Sequence, residues 1–129
     1  MRAVSARELA EKFADMCRRV GGKPVIEEED GEYTVRCRLG FIKTGVRVFR
    51  NRDKMRIELI NSGGEIEVPA SEKPVLTIYA PEARNASIDL SPGYDDVIIP
   101  SKLIDEIVFM VRESEGVKWM HIHLEPSEW

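Results

Sequence analysis

Three consecutive runs between residues 33 and 60 alternate apolar and polar side chains, and this alternation limits the fold more than any other feature of the chain. Because successive side chains of a β-strand point to opposite faces of a sheet, each run has one apolar face and one polar face. The apolar face can close over a core while the polar face stays in solvent. The runs span residues 33–39, 45–50 and 55–60.

The polar face of these runs is rich in arginine. Between residues 36 and 56 the chain has eight basic residues and a single acidic one, Asp53. Arginines on neighbouring strands can make charge-assisted hydrogen bonds to carboxylates, or follow a phosphate backbone while an aromatic ring stacks on a base. The partner-binding residues predicted on this basis are Arg36, Arg38, Arg47, Phe49 and Arg56.

These residues lead to a prediction of function. The chain is expected to be a small non-enzymatic binding or assembly module that uses an Arg-rich sheet face to contact an anionic partner. That partner is either an acidic protein surface or nucleic acid, although a pI of about 5.3 is unlike that of a dedicated nucleic-acid domain. A sheet face that is merely solvated is the simpler interpretation of the same pattern.

Charge is distributed unevenly along the chain, which suggests self-association as a variant of this function. Residues 1–64 include 14 basic and 10 acidic side chains, whereas residues 65–129 include 5 and 13. Such a division produces an electrostatic dipole that can orient a partner. The basic half of one copy could then meet the acidic half of a second copy.

The first thirty residues predict a helix followed by a strand. Ser5 and Glu8 have the spacing of a capping box, apolar residues then recur at steps of three and four, and Gly21 with Gly22 ends the pattern. Residues 23–29 read as a strand that turns at Asp30-Gly31 into residues 33–39. The acids of the first strand are therefore expected to face arginines of the second.

The second half predicts more strands and one more helix. Residues 65–68, 75–80 and 86–90 read as strands, with 75–80 apolar on both faces and therefore central. Ser101 can cap a second helix over residues 101–113, and residues 117–124 form the last strand. Gly40 and Gly45 bracket either a bulged strand or a loop with an exposed Phe41. The predicted buried side of the second helix is Leu103, Ile104, Ile107, Val108 and Val111.

Together these elements predict a single α+β domain over residues 1–129. Its order is an N-terminal helix, an antiparallel meander sheet of about six or seven strands, a second helix and a C-terminal strand, with the helices on one sheet face. Curling of the sheet around a helix could also enclose a cavity for a small ligand.

A His-x-His-x-Glu run in the last strand gives the alternative function, a metal-dependent enzyme or metal-binding protein. His121, His123 and Glu125 would project from one strand face, and two imidazoles with a carboxylate are a donor set that suits zinc or non-haem iron. The same spacing arises whenever a strand places polar residues outward. A divalent metal is the only cofactor that the sequence suggests, and a non-enzymatic binding module is expected rather than an enzyme.

Composition and the cysteines complete the predictions. There is no glutamine among the 129 residues and there are only three asparagines, which is typical of proteins from thermophiles. The chain has no apolar run long enough for a signal peptide or membrane span, so we expect a cytoplasmic protein without a membrane partner. Cys17 and Cys37 are expected to be two small buried residues rather than a disulfide framework.

Overall fold

The described residues form one α-helix and eight β-strands, all of the strands in one sheet. The computed structural model describes residues 4–50, 54–69, 75–80, 84–89 and 95–126. The elements are α1 (Ala6–Arg19), β1 (Lys23–Glu29), β2 (Glu32–Arg50), β3 (Lys54–Leu59), β4 (Gly64–Pro69), β5 (Val75–Ala80), β6 (Arg84–Asp89), β7 (Asp95–Ser114) and β8 (Val117–Pro126).

Helix α1 forms as the sequence predicts. The hydroxyl of Ser5 accepts a hydrogen bond from the backbone N–H of Glu8 at 3.1 Å, which satisfies one of the unpaired N–H groups at the start of the helix. The apolar stripe of α1 is buried, and Phe13 stacks on Phe109 of β7 with ring centroids 4.6 Å apart. Within the described residues no helix is long and apolar enough to cross a membrane.

The predicted meander is wrong, because the sheet is organised around two long strands that are distant in sequence. The strand order is β4-β3-β2-β7-β8-β5-β6. Strands β2 and β7, of 19 and 20 residues, pair antiparallel along nearly their whole length. On its other edge β2 pairs first with β1 and then with β3, while β5 pairs with β8 in parallel.

The predicted second helix is also wrong, since residues 101–113 lie within β7. The predicted α+β class is wrong with it, because the described residues are mostly strand and contain a single helix. A register shift between Ile104 and Glu106 inserts an extra residue, so Ile104 and Ile107 both face the core although they are three positions apart. Val108 is buried on the opposite face of the sheet. With the bulge and with an apolar Val108 on the other face, the apolar residues of this strand recur at steps of three and four, as they do in a helix.

Two irregularities bend β2 and β7 together. The register of the pair shifts between Arg38 and Ile42, where Gly40 and Phe41 adopt φ values of 70° and 65°. It shifts again beside Gly45, where any Cβ would collide with the carbonyl of Ile99. Residues 40–45 are therefore a bulged continuation of the strand, and it carries a Phe41 that is 48% exposed.

Helix α1 packs on one face of the sheet, against β1, β2, β4 and β7. Inward side chains of the central strands join the helix in one buried cluster, which includes Leu9, Val35, Ile57, Leu76 and Ile122. We call the face toward α1 the inner face and the opposite face the outer face. Because strand side chains alternate, the residues between these core positions project from the outer face.

Cys17 of α1 and Cys37 of β2 form a disulfide, so the prediction of two unpaired buried residues was right about burial and wrong about pairing. Their Cα atoms are 5.9 Å apart and both side chains are fully buried. Gly22 lies against the bond, since a Cβ there would stand 2.7 Å from the sulfur of Cys17 and 2.8 Å from that of Cys37. The disulfide fastens the helix to the inner face.

Candidate functional site

Four ring-bearing side chains lie together on the outer face of strands β8 and β5. Strand β8 buries Met120, Ile122 and Leu124 on the inner face, and the residues between them therefore project outward. In the parallel pair β5–β8, Tyr79 is the partner of His123. The aromatic patch, as we call this group, consists of Trp119, His121, His123 and Tyr79.

Three rings of the patch contact one another edge to face, and the fourth, Trp119, contacts a guanidinium. The Tyr79 and His123 centroids are 4.5 Å apart with planes at 80°, and those of His121 and His123 are 6.1 Å apart at 87°. His123 Nε2 lies 3.0 Å from Glu125 Oε1. The guanidinium of Arg112 lies over the Trp119 ring, 5.5 Å from its centroid, a cation–π contact.

The environment of His121 favours its neutral form. Partial burial lowers the pKa of His121 below its usual 6.5, and the nearby charge of protonated His123 lowers it further. A neutral imidazole both donates and accepts a hydrogen bond, so His121 can contact either kind of polar group near neutral pH.

A groove of about 300 Å³ opens beside the aromatic patch. Met110 and Trp119 give it an apolar lining, while Thr77, His121, Glu32 and Arg112 supply polar groups. Trp119 is 40% exposed, which is high for the largest apolar side chain. The groove therefore combines an accessible aromatic surface with hydrogen-bonding groups, as ligand sites do.

The predicted arginine residues do lie on the outer face, but carboxylates of the same chain accompany three of them. Arg36 is 3.7 Å from Glu27 and 3.5 Å from Glu106, and Arg38 is 3.9 Å from Glu106. This agrees with the expectation that acids of the first strand face arginines of the second. These ion pairs neutralise part of the positive charge with which the arginines were predicted to bind a partner.

Arg56 is the most strongly compensated arginine. Its guanidinium lies 3.4 to 3.5 Å from the carboxylates of Glu58, Glu65 and Glu67 on β3 and β4. A hydrogen bond to Glu58, followed by the negative charge of Glu65, raises the pKa of Arg56 further above its usual range. Arg56 therefore belongs to a charged network within the sheet.

Arg47 and Phe49 lie at the other end of the outer face from the aromatic patch. The guanidinium of Arg47 is 5.5 Å from the centroid of the Phe49 ring, and Phe49 is the register partner of Arg56. The bulge in β2 separates these residues from Arg36 and Arg38. The five predicted residues thus form two groups rather than one continuous surface.

The predicted metal ligands share the outer face of β8. Glu125 contacts His123, whereas the neighbours of His121 are His123 and the groove. In the described part of the chain no three His, Cys, Asp or Glu residues stand close enough to hold a metal ion. The geometry therefore gives the metal hypothesis no further support.

Sequence reasoning missed Tyr79, Arg112, Met110 and Glu32. Tyr79 belongs to a run that is apolar on both faces, so its direction could not be predicted. Its position beside His123 depends on the parallel pairing of two strands that are about forty residues apart, and no local pattern encodes that pairing. Arg112 and Met110 had been assigned to the end of a helix. Trp119, on the same strand face as the predicted His121 and His123, did carry a signal, because tryptophan is enriched at interface hot spots.

Comparisons with protein-family models, with curated proteins and with solved structures found no match to this chain.

Proposed function

We propose that the protein is a small non-enzymatic binding module that holds a segment of a partner protein against the aromatic patch and the adjoining groove. The observation that carries this proposal is the position of Trp119, which lines an open groove at 40% exposure beside His121. Apart from the parallel pair β5–β8 the sheet is antiparallel, and the open face of such a sheet is normally polar, so a group of exposed rings calls for an explanation.

The physical properties of the patch suit protein recognition. Aromatic rings bury a large area with little loss of side-chain entropy, and Trp and Tyr dominate the binding energy of many interfaces. The patch lies on β8 and β5, and β8 also pairs with β7; the inner side chains of all three strands are buried in the core. A rigid base of this kind reduces the ordering cost of binding.

The experiment is a selection of peptides from a phage-displayed random library on the immobilised protein. The enriched peptides are then measured against Trp119→Ala and against Ile98→Ala. Ile98 is a matched control because it is an exposed apolar residue at the far end of the same face, paired with Arg47. Truncation of a hot-spot residue costs about 2 kcal/mol or more, which predicts a loss of about 30-fold for Trp119→Ala.

Peptides that bind wild type and Trp119→Ala equally well would refute this location for the site, and so would a selection that enriches no peptide. Thermal unfolding of both variants checks that neither substitution disturbs the fold. Because Trp119 projects from the outer face, its removal leaves the inner core untouched.

An anionic partner at the Arg-rich end of the outer face is the second candidate. The stacked pair of Arg47 and Phe49 favours it, since an arginine beside an aromatic ring can bind a phosphate and stack a base. Replacing both Arg38 and Arg47 by alanine should then weaken oligonucleotide binding across sequences and flatten its dependence on salt. Equal affinity of wild type and this double variant would eliminate the candidate.

A further inference from the structure

The groove beside the aromatic patch continues into a second recess whose lining is mainly acidic. This recess, of about 400 Å³, lies where the β1–β2 turn approaches the end of β7, and it shares Glu32 and Arg112 with the groove. The acidic residues around it are Glu29, Asp30, Glu32 and Glu113. Groove and recess together make one trough with an aromatic end and a carboxylate end.

The negative charge of the trough is only partly compensated within the fold. Glu113 lies 4.0 Å from Lys118, but Glu29, Asp30 and Glu32 form no salt bridge among the described residues. This contrasts with the same hairpin two residues away, where Glu27 pairs with Arg36. Among the described residues of the lining Arg112 is the single cation, and its guanidinium lies over the Trp119 ring.

The aromatic end of the trough also suits a cation. The contact between Arg112 and Trp119 shows that this ring accepts a guanidinium against its face. A further guanidinium or ammonium group entering the trough would meet the Glu32 carboxylate, which lines the same groove as Trp119. Charge-assisted hydrogen bonds to carboxylates would hold it there.

We infer that the segment bound in this trough is a basic one, a stretch of a partner protein whose lysine or arginine side chains project toward Glu29, Asp30 and Glu32 while its apolar side chains cover Trp119 and Met110. The inference rests on the proposed function and adds the chemical class of the partner. Charge complementarity favours a basic segment over others, because the apolar lining alone would fit many segments.

The test uses the peptides whose binding requires Trp119. Their sequences should have an excess of lysine and arginine, and their binding should weaken with added salt. The variant Glu29→Gln/Glu32→Gln keeps the side-chain shapes and removes two charges, so we expect a loss of about tenfold at low salt. Tryptophan fluorescence reports binding in a Trp129→Phe background, in which Trp119 is the only tryptophan.

Glu28→Gln is the matched control. Glu28 lies in the same exposed hairpin, but it pairs with Tyr33 and so projects from the opposite face to Glu29. It should leave peptide affinity unchanged.

Peptides that require Trp119 but show no excess of basic residues would overturn the inference and leave the proposed function in place. Equal affinity of wild type and Glu29→Gln/Glu32→Gln would do the same. Absence of any peptide that requires Trp119 would overturn both.

Discussion

Reduction of the disulfide between Cys17 and Cys37 should remove a large part of the stability of this protein. The bond closes a loop with a sequence separation of 20 residues. The loss of loop-closure entropy in the unfolded chain corresponds to about 3 kcal/mol for a loop of this length. Because native domains are stable by only about 5–15 kcal/mol, this bond carries a substantial share.

The measurement is urea unfolding of the same protein in oxidised form and after refolding under reductant, which avoids the cavities that cysteine substitutions would leave. With a urea slope of about 1–3 kcal/mol/M, a change of about 3 kcal/mol lowers the midpoint by about 1–3 M. The fully buried sulfurs are shielded from reagents, so reduction has to be carried out on the unfolded chain.

Two results would refute this reasoning. One is an unchanged urea midpoint after reduction, and the other is alkylation of two free thiols when the protein is unfolded without reductant. Gly22→Ala tests the geometry separately, because its new Cβ would stand within 2.8 Å of both sulfurs. We expect it to cost about 1–3 kcal/mol through overpacking, whereas Gly31→Ala in the β1–β2 turn meets no neighbouring atom and tests only the backbone strain of its φ of 80°.

Three further predictions concern the long strands and the aromatic patch. Gly45→Ala should destabilise the protein markedly in urea unfolding, because the new Cβ would collide with backbone atoms of Ile99 and Pro100, which cannot move aside as a side chain can. A stable Gly45→Ala variant would contradict the observed pairing of β2 with β7. Phe109→Ala should cost about 3–5 kcal/mol, since it removes the ring stacked on Phe13 in the core, and a cost near zero would contradict the strand assignment of residues 101–113. Burial, and then the charge of protonated His123, lower the pKa of His121 in the folded protein, so the unfolded chain takes up the proton at higher pH. The free energy of unfolding is therefore highest above pH 6.5 with respect to His121, and it decreases as the pH falls from there through the folded-state pKa. His121→Gln should flatten this part of the stability profile, which unfolding in urea at several pH values will show.

The parts of the fold that the sequence predicts correctly are those with local causes. The Ser5 cap and the glycines after α1 mark both ends of the helix, and Asp30-Gly31 marks the turn between β1 and β2. Positive φ values at both turn residues, 52° and 80°, are the reason that this dipeptide signals a hairpin. These features depend on residues within a few positions of one another.

The failures have non-local causes. The bulge near Ile104 makes sense only once β7 is paired with β2 and β8, and before that pairing its apolar spacing fits a helix. The disulfide requires α1 to lie across β2, which no spacing between Cys17 and Cys37 reveals. The aromatic patch could be predicted only in part for the same reason: Trp119, His121 and His123 could be placed on one strand face, but Tyr79 could not be placed beside them.

The two ends of the outer face present a contrast that folding alone does not explain. At the β3–β4 end, outward positions hold Arg56 with three glutamates, an arrangement that keeps a solvated face soluble and adds little else. At the β8–β5 end, outward positions with the same backbone requirements hold rings. The fold needs only the inner residues of β8, such as Met120 and Ile122, to be apolar. Charged pairs would meet the same backbone requirements at Trp119 and Tyr79, and we propose that a partner covering those rings is the reason for their presence.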